Sequence, residues 1–223
     1  VKFNSAGVRQ WGTYYTGEVL SYTNIYDVKT DAAGNIYIAG STNSNSPGNE
    51  ISTAGAYQTS FLGWENAFVA KFNSGGVRQW ATYYGTAQVS AAQAALTGAG
   101  SGWTEGVSVA IDASGNVYLA GVTKANDGTA GMTTAGAHQT VYGGGDMDAY
   151  IVKFNSAGVR QWATYYGGAG SEQSYSGLHG ALFETMKIAI DASDNIYMSG
   201  VTSMNQFAAT LGANSAGTSI ATA

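Results

Sequence analysis

Short runs of alternating apolar and polar residues, each closed by a glycine-bearing turn, recur along the whole chain. In 106–112, Val107, Val109 and Ile111 fall at the strand period of two and are expected to share one face. In 159–166, Trp162, Thr164 and Tyr166 fall on one face, with Ala163 and Tyr165 on the other. With 116–123 and 148–155 these make a predicted set of four strands. The first two and the last two are joined by short links, from Asp112 to Asn116 and from Asn155 to Gly158. Both links suit a type I turn with glycine in the left-handed position, closing a bulged hairpin. Asp194 stands where Gly115 would recur in the next copy, and Asp tolerates positive φ better than most residues.

The pattern repeats as sequence as well as periodicity. KFNSAGVRQW at 2–11 returns at 71–80, with one change, and at 153–162. DAAGNIYIAGST at 31–42 returns as DASGNVYLAGVT at 112–123 and DASDNIYMSGVT at 191–202. TAGAYQT at 53–59 returns as TAGAHQT at 134–140. The period is about 80 residues, with length variation confined to long links at 43–65, 124–147, 16–24, 85–104 and 167–183. A four-strand antiparallel unit repeated along the chain predicts an all-β propeller of radially stacked blades. A β-helix has far shorter coils, and a sandwich does not demand near-identical repeats. The expected organisation is a half-blade at 1–15, blades at 22–84 and 105–166, and a partial blade at 184–223. That is about three blades' worth, fewer than the four or more of a closed propeller. It is read as a segment of a longer chain or as blades completed by another copy.

These repeats resemble the bacterial seven-bladed β-propeller (SBBP) repeat family. The likeness rests on D-A-x-G-N-x-Y with its following A-G-x-T, then T-A-G-A-x-Q-T, D-A-Y-I-V-K-F and W-A-T-Y-Y-G-G. It implies a propeller in a secreted or cell-surface bacterial protein and implies no activity, because fold does not give function.

Composition narrows the function classes. Glycine numbers 32 against one proline, and charged residues make up 10% of the 223 positions, as suits many short strands and turns. A net charge of −5 argues against nucleic acid as a partner, since phosphate neutralisation needs clustered Lys and Arg. No apolar run approaches a membrane span. With no cysteine there is no disulfide framework and no thiolate site.

Most candidate chemistry dissolves into the repeat. Arg9, Arg78 and Arg160 share one repeat position, which leaves no unique arginine for a sialidase-like carboxylate clamp. Trp11, Trp80 and Trp162 likewise read as blade packing, not as part of a quinone-cofactor dehydrogenase. Asp31, Asp112 and Asp191 read as turn-closing acceptors, as do Asn4, Asn73 and Asn155. His138 is replaced by Tyr57 in the equivalent motif of the preceding unit, and with His179 it makes only two histidines, without a nucleophile elbow. Asp146 and Asp148 are the metal candidates, as oxygen ligands for Ca²⁺ in a Gly-rich loop. They lack the further ligands of an EF-hand, and Asp148 reads first as the start of the third strand, where the preceding unit has Asn66.

The non-repeated aromatics lie in the long links. The predicted antiparallel order puts those links on one face, which would carry Trp64, Trp103, Tyr142, Tyr175 and His138 as a ligand-binding surface. The expected function is a non-enzymatic extracellular module for adhesion, scaffolding or binding of protein or carbohydrate. The alternative is a structural subunit whose incomplete blades join copies into a ring or filament. A polysaccharide hydrolase using Glu105 and Glu184 ranks below both.

Overall fold

The computed structural model describes residues 1–18, 21–45, 50–87, 102–124, 131–145, 147–170, 172 and 186–200. All regular structure among them is strand: β1 (Lys2–Phe3), β2 (Arg9–Trp11), β3 (Thr23–Thr30), β4 (Ile36–Thr42), β5 (Asn66–Phe72), β6 (Arg78–Tyr84), β7 (Thr104–Ile111), β8 (Val117–Thr123), β9 (Asp148–Phe154), β10 (Arg160–Tyr166), β11 (Lys187–Ile190) and β12 (Ile196–Ser199). They form two four-stranded antiparallel sheets, β3-β4-β5-β6 and β7-β8-β9-β10, with two-stranded sheets β1-β2 and β11-β12. The first strand of the second sheet, β7, packs against β3, β4 and β5 and against β11. Meander sheets stacked face to face, with their first strands side by side, are blades of a β-propeller.

The core lies between blades. One layer joins Tyr37, Ala39, Val69 and Tyr84 of the first sheet to Val109, Leu119, Tyr150 and Phe154 of the second. The second sheet's other face packs Tyr118, Ala120 and Trp162 against Ile188, Ile196 and Met198. Trp162 and Tyr166 thus lie on one face of β10 and Ala163 and Tyr165 on the other, as the alternation predicts.

The alternation predicted for β7 needs correction. Val109 and Ile111 face the first sheet, but Val107 packs in the opposite layer. The ladder to β8 shifts between Gly106 and Ser108, pairing Gly106 with Gly121 and Ser108 with Ala120. One extra residue in a bulge moves every side chain before it to the other face. β3 carries the same shift between Ile25 and Asp27. The bulge also explains the glycine of the A-G-x-T motif. A Cβ on Gly121 would run into the Glu105 carbonyl and come within 2.9 Å of the Tyr150 hydroxyl.

The repeated polar residues close turns and tie blades. Asp112 Oδ1 accepts from the Ser114 and Asn116 amides at 2.9 and 2.8 Å. Its Oδ2 accepts from Asn116 Nδ2 at 2.7 Å and from the Tyr118 hydroxyl at 3.0 Å. Asp31 and Asp191 repeat the Asn and Tyr contacts, which accounts for the N-x-Y of the motif. Asp194 holds φ at 64°, as expected for the residue replacing glycine. At the other hairpin, Asn4, Asn73 and Asn155 each accept two backbone amides through Oδ1.

Two of the repeated tryptophans, Trp11 and Trp80, are inter-blade pins. Trp11 Nε1 donates to the Ser74 carbonyl at 3.3 Å and Trp80 Nε1 to the Ser156 carbonyl at 3.0 Å. Each indole lies on the hairpin glycine of the following unit, Gly76 or Gly158, whose positive φ and missing Cβ allow the approach. Two of the repeated arginines tether the long link of their own blade: Arg160 donates to the Gly131 carbonyl at 2.7 Å and Arg78 to that of Glu50. The Arg160 guanidinium also lies 4.4 Å from the centre of the Tyr57 ring.

Candidate functional site on the long-link face

The long links meet between the two full blades. Glu65 and Trp103 form a parallel bridge, with the Trp64 amide donating to the Gly102 carbonyl at 3.2 Å and the Thr104 amide to the Glu65 carbonyl at 2.9 Å. This pairs the link inside one blade with the link between blades, as the predicted strand order requires. The Trp64 indole stands on this pinned backbone with 62% of its surface exposed.

Beneath it lies a polar cluster that local sequence did not reveal. Glu65 is buried and accepts from the Tyr22 hydroxyl at 2.7 Å through Oε2. Glu105, at the start of β7, is also buried and accepts from Trp103 Nε1 at 2.8 Å through Oε1, while Oε2 has no partner. Burial first, and then the nearby Glu65 charge, push Glu105 up to about 8, against the opposing Trp103 hydrogen bond. Burial likewise raises Glu65, offset by Ser41 and Tyr22. Glu105 is thus held protonated at neutral pH. The two residues are 3% and 2% exposed, buried where the link inside the first full blade meets the start of the second.

Trp103 spends its indole N–H on Glu105 and packs its ring against the second blade's core. Tyr142 and His138 join their own blade instead: Tyr142 lies edge-on to Tyr165 at 6.0 Å, and exposed His138 stacks on Tyr166 at 6.0 Å. Tyr57, at the position equivalent to His138, hydrogen-bonds the Gly131 carbonyl at 2.9 Å across to the next unit. Of the predicted surface, Trp64 and Trp103 lie on links whose backbones meet; Tyr175, like His179 and Glu184, lies outside the described residues. Asp148 begins β9 and is fully buried, and Asp146 lies outside the described residues. Among the described residues no cluster of three or more His, Cys, Asp or Glu is placed to hold a metal.

A second group missed by sequence runs along the first strands. Asp27 Oδ2, at the β3 bulge, accepts from Ser108 Oγ at 2.9 Å and from the Val109 amide at 3.0 Å. Ser108, at the β7 bulge, accepts in turn from the Ile188 amide at 3.3 Å. The bulge aims one side chain per blade at the next blade's backbone. On the tight-turn face a groove of about 760 Å³ is lined by Lys29, Asp31, Lys71 and Asp112. Its two carboxylates are already engaged by their own turns.

The fold and these repeated contacts define a β-propeller repeat protein. A family model described as a β-propeller repeat, SBBP, matches residues 10–46, and the chain carries that repeat. The D-A-x-G-N-x-Y segment inside that match, at 31–37, recurs at 112–118 and, with Asp194 for the glycine, at 191–197. No curated protein matches the chain. Among the described residues no helix is long and apolar enough to cross a membrane.

Proposed function

We propose that this chain is a non-enzymatic, extracellular propeller module that binds carbohydrate or protein at a bacterial cell surface through its long-link face. The observation that carries the reading is Trp64, a large exposed aromatic on backbone pinned between two blades. An exposed aromatic on backbone that is already ordered spares part of the ordering cost of binding, which suits a sugar ring or an apolar side chain. The backbone bridge between Glu65 and Trp103 supports it by holding the two links together. The repeat likeness is what supports the secreted setting. Glycan-array and calorimetric binding of the native chain, beside Trp64→Ala, tests the reading. The expected result is a ligand whose affinity falls at least about tenfold in the variant at unchanged melting temperature. Equal binding by both proteins would remove Trp64 from the site.

Assembly of copies is a second reading, favoured by unequal exposure at equivalent positions. Val109 on β7 is fully buried by the preceding sheet, whereas its counterpart Val28 on β3 is 57% exposed and Ile25 is 49% exposed. In this reading a blade from a second copy would cover that face. Light scattering of the native chain tests it: Val28→Glu lowers the mass of an assembly built this way and leaves a monomer unchanged.

A further inference from the structure

Asp148 and its counterpart Asn66 solve the same structural problem with different chemistry. Asn66 is self-sufficient: Oδ1 accepts from the Leu62 amide at 2.7 Å, and Nδ2 donates to the carbonyls of Leu62 and Glu65. Asp148 keeps the acceptor half, taking the Gly143 amide at 2.5 Å through Oδ2. In place of the amide nitrogen it has a second acceptor, Oδ1, which is buried and has no hydrogen-bond donor. Another acceptor, Glu172 Oε2, buried and equally without a donor, faces it. The two atoms converge on one point: a Cβ on Gly167 would lie 2.7 Å from Asp148 Oδ1 and 2.6 Å from Glu172 Oε2. Asp148 is fully buried and Glu172 is 5% exposed. Glu172 is fastened there by its amide, which donates to the Met147 carbonyl at 2.9 Å, and by Oε1, which accepts the Gly168 amide at 3.2 Å.

Two buried carboxylates cannot face each other without a cation or a shared proton between them. We infer that Asp148 and Glu172 form a calcium site that clamps the long link within the second blade to the link that follows it. The donors are hard oxygens, with neither nitrogen nor sulfur, as Ca²⁺ prefers. The surrounding backbone is glycine-rich, and the carbonyls of Gly167 and Gly168 lie against Gly143 in the same crossing. Ca²⁺ accepts such carbonyls and water to complete six to eight ligands, whereas Mg²⁺ demands a more regular shell. The first full blade has Asn66 at this position, so the clamp belongs to the second blade alone among the described sheets.

The test uses the full chain after EDTA treatment, titrated with calcium chloride by calorimetry at pH 8, beside Asp148→Asn and Glu172→Gln. Both carboxyls are raised by burial, and pH 8 favours their ionised forms. The expected result is saturable binding of one Ca²⁺ with a rise in melting temperature, and affinity at least about tenfold weaker in either variant. Asp148→Asn restores the residue type that already works at Asn66, so in EDTA it should melt no lower than the native chain. No calcium heat and no melting shift in the native chain would overturn the inference and assign the pair to a shared proton. Equal calcium binding by the native chain and both variants would also overturn it, by placing the ion elsewhere.

Discussion

Replacing Trp80 with alanine should cost far more than the same change at Trp11, although both indoles make the same contact. Trp80 is 9% exposed, lies on Gly158, hydrogen-bonds the Ser156 carbonyl at 3.0 Å and packs 6.2 Å from the Phe154 ring. It belongs to the continuous layer between the two full blades. An indole buries up to about 250 Å², worth about 6 kcal/mol as an upper bound at 25 cal/mol per Å². Measured losses for Trp→Ala in cores run about 3–5 kcal/mol, so about 4 kcal/mol is expected here. Trp11 is only half-buried, sits on the short β1-β2 sheet and makes a longer 3.3 Å bond to Ser74. Its loss should cost about 1–2 kcal/mol. Urea unfolding at 25 °C, followed by far-UV circular dichroism, measures both. A midpoint shift with unchanged slope reads the native contact. Trp80→Ala within about 1 kcal/mol of the native chain, or a cost equal to that of Trp11→Ala, would falsify the claim that stability resides in the layer between blades.

Glu105→Gln should stabilise the protein increasingly as pH rises from about 4.5 to 8. The unfolded carboxyl ionises near its ordinary value, while the folded one holds its proton up to about 8, so the native state binds more protons across that window and loses stability as pH increases. Melting temperatures from pH 5 to 8.5 should fall more steeply for the native chain than for the variant; parallel curves would show that Glu105 ionises freely. Asp112→Ala removes the acceptor of two backbone amides, Asn116 Nδ2 and the Tyr118 hydroxyl, and should cost about 2–4 kcal/mol by chemical denaturation. Burial raises the Asp112 pKa, but these hydrogen bonds outweigh it and hold the carboxylate below its ordinary range. Its contribution is therefore present above about pH 4 and lost as pH falls through the lower folded value. A loss that persists unchanged after full protonation would contradict this account.

Strand positions, hairpin turns and the propeller class were legible in the sequence because each rests on short-range rules. Period-two alternation marks β10, turn chemistry marks Asp112 to Asn116, and the repeat itself demands neighbours to bury both faces. Even the structural role of the Arg and Trp in V-R-Q-W followed from their recurrence. Position in space decided the rest. Val107 changed face because a single bulged residue inverts the side chains on one side of it, and alternation cannot show where a bulge falls. Asp27 gave no local signal, yet its carboxylate reaches the next blade from such a bulge. Glu65 meets Glu105, and Asp148 meets Glu172, across links of non-repeated sequence. Pairwise encounters between distant acids depend on how blades stack, and the tertiary fold alone brings those carboxyls into one buried, low-dielectric space.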